Sequence, residues 1–413
     1  MNYKKYITIL IFLITIFCLY INILTTYTYA SSEPVISSGS AILIENSTSK
    51  VLFQKDSDTR LEPASITKIM TAILTIENGN LSDVVSVPTE AISSIPSGYS
   101  VADLKPNEHL TVDELLQLVM VHSANDAANV LAFYIDGSIE AFANRMNQKL
   151  SELGLNDSHF TNPSGIHDDN HYSTAHDIAL LMQYCIKNST FKKYSGLKSC
   201  HIAATNMYGE RFFENTNSML SDSSSDYYPY LTYTKTGFTS QAKYCLVSVA
   251  SQNDMEYICV ILSANSSSSR IAETKALFEY GFSSFAFQDI AVKGDVVTQV
   301  EILNGTDDTK NLDLVLGDTI SVLTSTDLST DNITPQITLQ DLPVAPIAQR
   351  KVLGYATYYI DGSSYTVDLL ASHDVMVSTS KTYYLQVALL VVVVIALFVV
   401  LFWNNKGKKE KTE

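Results

Sequence analysis

Apolar positions along this chain change period several times, and each change predicts a different element. Ser40–Ile44 and Lys50–Phe53 are short apolar runs flanking Glu45-Asn46-Ser47-Thr48-Ser49, the pattern of a β-hairpin. From Ala64 to about Glu77 the spacing turns helical, with Ile66, Ile69, Met70, Ile73 and Leu74 on one side. Thr111-Val112-Asp113-Glu114 has the form of a capping box and predicts a helix over Val112–Val121. Helical patterns continue over Asp126–Tyr134, Ile139–Leu153 and Ala175–Ile186. Tyr244–Ala250 and Glu256–Ala264 are apolar runs separated by Ser251-Gln252-Asn253-Asp254, which predicts an antiparallel hairpin; Arg270–Tyr280 predicts a closing helix. Strands, a helical block, then strands and a helix imply a sheet covered by helices, α+β or mixed α/β. After about Ser284 the helical period ceases. From Asp289 to Val375, short Val/Ile/Leu/Tyr/Thr-rich runs alternate with turns at Asn304-Gly305 and Asp361-Gly362, which predicts a small all-β domain.

The two ends read differently from the middle. Residues 1–30 open with Lys4 and Lys5, run apolar from Tyr6 to about Leu24 and end in Thr28-Tyr29-Ala30, the form of a secretory signal peptide cleaved before Ser31. Cys18 sits inside that apolar run, followed by Leu19 and Tyr20, which is not the setting of a lipid-attachment site. Leu385–Trp403 is 19 residues without a charge. At about 1.5 Å per residue it spans roughly 28 Å, close to a bilayer's hydrocarbon thickness. Tyr383, Tyr384 and Trp403 stand where interfacial aromatics belong, and Lys406, Lys408, Lys409 and Lys411 follow, so the tail is expected on the cytoplasmic side. The expected organisation is a signal over 1–30, a first domain over 31–284, an all-β domain over 285–375, a spacer over 376–384, a transmembrane anchor over 385–403 and a basic cytoplasmic tail over 404–413. The domains between would be extracytoplasmic.

Composition narrows the function. The chain has 413 residues, 46% hydrophobic and 17% charged, which excludes a disordered chain, a collagen-like repeat and a short disulfide-stapled scaffold. A net charge of −16 repels phosphate backbones, so no nucleic-acid partner is expected. Of five cysteines, removal of the signal leaves Cys185, Cys200, Cys245 and Cys259; none forms a Cys-x-x-Cys pair, so zinc is not expected. Cys245 and Cys259 fall in apolar strands, the place of small buried thiols.

Three short elements carry candidate chemistry. Ser65-Ile66-Thr67-Lys68 starts the first long helix, where residues three apart share a face and the lysine nitrogen can approach the hydroxyl. Serine needs an adjacent base to be a nucleophile at neutral pH, and a lysine serves if burial or a nearby cation lowers its pKa. Ser123-Ala124-Asn125, between two helices, can present a hydroxyl and an amide to a cleft; its plainer role is to cap the next helix. Lys235-Thr236-Gly237, leading into the strand at Tyr244, can pair a substrate carboxylate while glycine admits it to the strand edge; its plainer role is an edge-strand lysine that discourages aggregation.

Each element is weak alone, but their order is informative. Ser-x-x-Lys, Ser-x-Asn and Lys-Thr-Gly in succession form the signature set of penicillin-recognising serine enzymes. The chain resembles D-alanyl-D-alanine carboxypeptidases, the low-molecular-mass penicillin-binding proteins, from about Ser40 to the C-terminus. Pro63–Thr71, Ser123–Ala128, Asn162-Pro163-Ser164-Gly165, Tyr172–Ala175 and Lys235–Thr239 are all similar to that family's segments. The resemblance implies a β-lactamase/transpeptidase-like sheet covered by helices and an acyl-enzyme on Ser65. Lys68 would be its base, Ser123 a proton relay, and Asn125 would position substrate and Lys68. It also implies that Lys235 and Thr236 hold the substrate's terminal carboxylate, beside Gly237 and Thr239. Backbone N–H groups of Ser65 and Phe238 would hold the oxyanion, and Arg270 would assist. Peptidoglycan stem peptides are the implied substrates, β-lactams the covalent inhibitors; no cofactor or metal is implied. The polar loop bearing His167, His171 and His176 matches the family rather than a metal site, and His122 is read as packing at a helix end.

One departure stands out: Ala242-Lys243 replaces the family's usual Ala-Gly, which puts a side chain where the cleft edge is normally bare. Three other readings share part of the pattern. A serine β-lactamase would need a dedicated deacylating base, and it would not need the β-rich domain or the anchor. A non-catalytic penicillin-binding or wall-interaction sensor would have no need to keep Ser65, Lys68, Ser123 and Lys235 together. A D,D-endopeptidase is a close variant that the sequence leaves open.

Overall fold

The structure, a computed structural model, describes residues 32–330, 332–378 and 381–409. The expected signal over 1–30, Cys18 with it, and the last four residues of the basic tail lie outside the described residues. Two compact units divide at Ser284/Phe285.

The first unit is organised on an antiparallel sheet. Its members are β1 (Ser40–Glu45), β2 (Val51–Lys55), β7 (Leu231–Thr239), β8 (Lys243–Gln252) and β9 (Met255–Ala264), in the order β2-β1-β9-β8-β7. Two small hairpins, β3 (Val84–Ser86) with β4 (His109–Thr111) and β5 (Ser199–Ile202) with β6 (Arg211–Glu214), lie outside it. The helices are α1 (Lys68–Asn78), α2 (Thr89–Ser93), α3 (Val112–Gln117), α4 (Asn125–Asp136), α5 (Ile139–Glu152), α6 (Ala175–Cys185), α7 (Ser189–Ser195) and α8 (Ser267–Ser284). The β8–β9 hairpin turns at Asn253 and Asp254, both at positive φ (50° and 62°), as a tight two-residue hairpin turn requires.

Alternation along β1 separates two faces. Ile42 and Ile44 join the core formed with the helical block, while a Cβ placed on Gly281 of α8 would lie 3.0 Å from Leu43 Cδ2 on the other face. Ile69, Met70, Ile73 and Leu74 of α1 are almost completely buried in that core, each contributing about 1.5–3 kcal/mol of transfer free energy.

The capping box is present: Glu114 N–H donates to Thr111 Oγ1 (3.1 Å) and Thr111 N–H to Glu114 Oε2 (2.8 Å). The helix it starts differs from the expected Val112–Val121. After Gln117 it widens into a π turn, Leu118–His122, and stops at Ser123, which is left-handed at φ 63°. Residues 64–67 form a 3₁₀ turn before α1, and α8 begins at Ser267, so Arg270 lies within its first turn rather than opening it.

The second unit contains β10 (Phe285–Ala291) through β16. A five-stranded sheet has the order β11 (Val296–Glu301), β12 (Asn311–Leu316), β16 (Ser363–Ala371), β15 (Val352–Ile360), β14 (Gln336–Leu339). β10 pairs with β13 (Ile320–Ser325), and Leu312, Leu314, Leu316, Ala356 and Leu369 are among the core residues. The last described element is α9 (Lys381–Lys409), which begins inside the expected spacer; its stretch Tyr383–Trp403, 21 residues, is long and apolar enough to cross a membrane.

Candidate active site

A cleft of about 610 Å³ opens along the free edge of β7. Ser65, Ser123, Asn125, Thr236, Gly237, Phe238, Thr239 and Arg270 all line it. Lys68 and Lys235 are buried, 0% and 1% exposed, each beside a residue that lines the cleft: Lys68 Nζ is 2.8 Å from Ser65 Oγ, and Lys235 precedes Thr236 on β7.

Ser65 and Lys68 are brought together by one turn of helix, as residues three apart must be. Lys68 Nζ lies 2.8 Å from Ser65 Oγ, 2.6 Å from Asn125 Oδ1 and 2.7 Å from the Ser164 carbonyl oxygen. Asn125 Oδ1 and the carbonyl can only accept, whereas the serine hydroxyl can donate. A neutral amine therefore satisfies all three contacts, with two N–H groups donating to the oxygens and its lone pair facing the Ser65 hydroxyl. Burial first, and then the Lys235 charge, hold the Lys68 pKa well below the ordinary lysine value, against the opposing pull of Asp126. Geometry and electrostatics agree on a lysine able to accept a proton from serine.

The backbone around Ser65 is tightly fitted. Ala64 is left-handed at φ 48°, an uncommon state for a residue with a Cβ. Gly165 (φ 77°) packs so close that a Cβ on it would stand 1.9 Å from the Ala64 carbonyl oxygen. On the other side, a Cβ at Gly237 would stand 2.8 Å from the Pro63 carbonyl oxygen and 3.1 Å from the Ser65 nitrogen. Glycine at 237 thus lets the edge of β7 approach the backbone of Ser65.

The turn Asn162–Gly165 is itself held by its first side chain. Asn162 Oδ1 accepts from the N–H groups of Ser164, Gly165 and Ile166 at 3.1, 2.8 and 3.1 Å. His171, buried and stacked on Phe160, accepts at Nδ1 from Thr161 N–H (3.1 Å) and presents Nε2 to Thr67 Oγ1 at 2.8 Å. Burial pushes its pKa down to about 3, so the ring is neutral.

Ser123 follows the π turn in its left-handed conformation, which turns its side chain out of the helical row and into the cleft wall. Asp126, the second residue of α4, is 2% exposed; its carboxylate accepts from Ala102 and Leu104 N–H, both at 3.0 Å. With Asn125 N–H donating to Ser100 O (2.9 Å), this staples the Ser97–Ser100 rim to the second motif. Burial raises the Asp126 pKa, and those backbone donors oppose the rise.

Lys235 lies within β7 rather than ahead of the strand at Tyr244, opposite Val247 of β8. Its Nζ has no hydrogen-bond partner among the described residues, and burial, then the Arg270 charge, lower its pKa to about 7. Thr236 Oγ1 is 2.6 Å from Thr216 Oγ1, while Thr239 Oγ1 accepts from Ala242 N–H (2.9 Å) and closes the β7–β8 turn. Arg270 Nη1 donates to the Gly237 (3.2 Å) and Cys245 (3.1 Å) carbonyls; it is a buried brace behind β7 that also reaches the cleft.

Lys243 stands at φ 57°, where glycine is the least strained residue, and its Nζ lies 3.4 Å from Asn265 Oδ1 on the surface. It is not among the residues lining the cleft, although its neighbours Gln241 and Tyr244 are. His122 packs 4.5 Å from the Phe213 ring. Cys185, Cys200, Cys245 and Cys259 are free and buried. Three features were missed from sequence: the Ser164 carbonyl, His171 as a brace and Asp126 as a staple. The Asn162–Gly165 segment was visible, but a backbone carbonyl carries no residue-type signal.

Comparison with known proteins fits this geometry. Residues 27–266 match the family model described as D-alanyl-D-alanine carboxypeptidase, and residues 285–378 match that of the penicillin-binding protein 5 C-terminal domain. The chain belongs to the D-alanyl-D-alanine carboxypeptidase family, a family of serine peptidases with the penicillin-binding fold. It is 33% identical over 337 residues to D-alanyl-D-alanine carboxypeptidase DacF of Bacillus subtilis, covering 80% of this chain and 84% of that one. The crystal structure of penicillin binding protein 5 from Haemophilus influenzae aligns with a TM-score of 0.63 at 26% identity, over 84% of this chain and 99% of that one. A variant of the Streptomyces K15 DD-transpeptidase aligns with a TM-score of 0.57 at 30% identity, over 60% of this chain and 99% of that one.

Proposed function

We propose that this chain removes the terminal D-alanine from pentapeptide stems of peptidoglycan through an acyl-enzyme on Ser65, and that β-lactams acylate the same serine. The observation that carries this reading is the buried Lys68 Nζ, 2.8 Å from Ser65 Oγ and fixed by two acceptors. Neutral Lys68 takes the Ser65 proton as Oγ attacks the carbonyl between the two D-alanines. The negative charge that develops on the carbonyl oxygen meets the N–H groups of Ser65 and Phe238, a contribution typically of about 10²–10³ in rate per donor. Lys68 returns the proton through Ser123 to the departing amine, the C–N bond breaks, and free D-alanine leaves. Water, deprotonated in the same way, then releases the shortened stem. Lys235 and Thr236 hold the substrate's terminal carboxylate, Asn125 its backbone, and Arg270 keeps β7 in place. Gly237 and Thr239 shape the same wall.

The chain's placement is part of this proposal. Residues 1–30 act as a cleaved signal, Tyr383–Trp403 anchors the chain, and both units work outside the membrane, with boundaries at 31–284 and 285–375. The exposed, membrane-length helix supports the anchor.

The test uses the detergent-solubilised chain and its Ser65→Ala variant with a peptide ending in D-Ala-D-Ala, following loss of one alanine by mass spectrometry. Release by the unsubstituted chain alone is expected. Absence of release together with stable penicillin acylation would overturn the carboxypeptidase reading in favour of a sensor or of an enzyme acting on cross-linked wall.

A further inference from the structure

Three segments of the second unit run side by side as a ribbon. Leu303 bridges Val344, Gly305 bridges Val377, and Ile347 bridges Val375. Leu303 N–H donates to Pro343 O (3.1 Å), Ala345 N–H to Leu303 O (2.9 Å), Thr306 N–H to Met376 O (3.0 Å) and Ser378 N–H to Asn304 O (2.7 Å). The ribbon is apolar on both sides. Ile347 and Val375 are 2% and 1% exposed and belong to the unit's core, whereas Leu303 (48%), Val344 (45%), Met376 (61%) and Val377 (46%) face outward, with Leu342 beside them at 74%. Large apolar side chains gathered outside a core mark a surface that meets something apolar.

The chain itself indicates what that is. Ser378, which ends the ribbon, lies five positions before Tyr383, where the membrane-length stretch begins. Five residues reach at most roughly 17 Å when fully extended, so an inserted helix keeps the ribbon at the bilayer surface. The charges around it are of both signs: Lys310 pairs with the fully exposed Asp307, Lys351 and Asp341 line the neighbouring groove, and Asp374 accepts from Gln349 N–H. With both signs interspersed there is no single-sign patch to draw the ribbon to charged headgroups, and the contact is made by the apolar side chains.

We propose that the Leu303/Leu342/Val344/Met376 face enters the interface of the same bilayer that holds the helix, as a second membrane contact that limits swinging of this unit. The proposal rests on the reading of Tyr383–Trp403 as an anchor. Its test exploits the chain's single tryptophan, Trp403. In a Trp403→Phe background, Leu342→Trp places a fluorophore on the face. Tyr359→Trp places one beside the Asp361-Gly362 turn, at the other end of β15 and β16, roughly 30 Å of strand away. The full chain is reconstituted into phosphatidylcholine vesicles with brominated acyl chains. Quenching at 342 at least about twofold stronger than at 359 is expected, with no increase when phosphatidylglycerol is added. Met376→Trp in the same background repeats the measurement should Leu342→Trp fail to fold. Flotation with the vesicles without quenching at either site would overturn this proposal alone, as would emission shifts that depend on protein concentration and assign the face to a second copy. Failure to float would overturn the anchor, and this proposal with it.

Discussion

Gly165→Ala probes the site without touching a reacting group. The added Cβ would stand 1.9 Å from the Ala64 carbonyl oxygen, 2.4 Å from its carbon and 2.9 Å from Thr67 Oγ1. Ordinary contact requires about 3.5 Å, so the two backbones must separate by more than an ångström. The left-handed φ of 77° adds about 1–2 kcal/mol for a residue with a Cβ, and forced overpacking typically about 1–3 kcal/mol, giving a loss of about 2–5 kcal/mol. A domain of this size with about 5–15 kcal/mol in hand remains folded at low temperature. Function is hit harder. Ala64 carries Ser65, and Gly165 follows Ser164, whose carbonyl fixes Lys68, so the displacement separates the two ends of the Ser65–Lys68 pair. A misplacement of this size costs about 10²-fold in rate. Gly154→Ala is the matched control, because Gly154 has nearly the same φ, 74°, with nothing within 4 Å of its Cβ position. It pays only the conformational cost and leaves the chemistry alone. Urea unfolding gives the stability of each variant, and stopped-flow acylation by a fluorescent penicillin gives the rate. Equal acylation by both variants would refute the claim that the Gly165–Ala64 fit sets the nucleophile.

Two other outcomes follow from the same geometry. On the proposed roles, acylation needs neutral Lys68 and charged Lys235. Lys68 is held low, which favours the neutral base, and kcat/KM falls as pH drops through that lowered pKa; Lys235, at about 7, loses its charge as pH rises, so kcat/KM of the free enzyme also falls on the alkaline side of about 7. Arg270→Leu removes the second cause of the Lys235 shift and should move the alkaline limb upward; an unmoved limb in a pH–rate profile would show that Lys235 does not set it. Lys243→Gly relieves a left-handed φ of 57° worth about 1–2 kcal/mol and adds about 0.5–1 kcal/mol of unfolded-state freedom. A small net rise in the urea midpoint, with unchanged acylation, is expected; a slower acylation would place the Lys243 side chain at the cleft after all.

How much was legible depends on where each signal resided. The Ser65–Lys68 adjacency is a local consequence of helical spacing, and the β8–β9 hairpin is written in two apolar runs and a polar turn. Strand β7 is harder to read: Leu231–Thr239 carries four threonines, a lysine and a glycine, because one edge of it faces the cleft rather than a partner strand. The α3 capping box set the helix start, but nothing in Leu118–His122 announces a π turn; its role, delivering Ser123 left-handed to the cleft, is a tertiary one. Asp126 acts through the backbone N–H groups of Ala102 and Leu104, and His171 through Thr161 N–H and the distant Thr67 hydroxyl; such partners leave no trace in residue spacing.

Charge ties these parts into one device. Lys68, Lys235 and Arg270 are 0%, 1% and 8% exposed, while the nearby Asp126 carboxylate is committed to the backbone N–H groups of Ala102 and Leu104. Burying cations with so little compensation is costly, and the lowered pKa values of both lysines are the expression of that cost. On the proposed roles, a ligand carboxylate arriving at Lys235 supplies the missing counter-charge, which favours the protonated form of that lysine. Protonated Lys235 is in turn the second cause that keeps Lys68 deprotonated. Binding of the carboxylate would then strengthen its own cation while holding the base neutral beside Ser65. An amide lacking that carboxylate would leave Lys235 half-titrated near pH 7. Comparing a peptide ending in D-Ala-D-Ala with its C-terminal amide across pH separates the two effects, because the alkaline limb should shift upward for bound acid in kcat and stay near 7 for the amide. Identical limbs for both peptides would break the link between carboxylate and base.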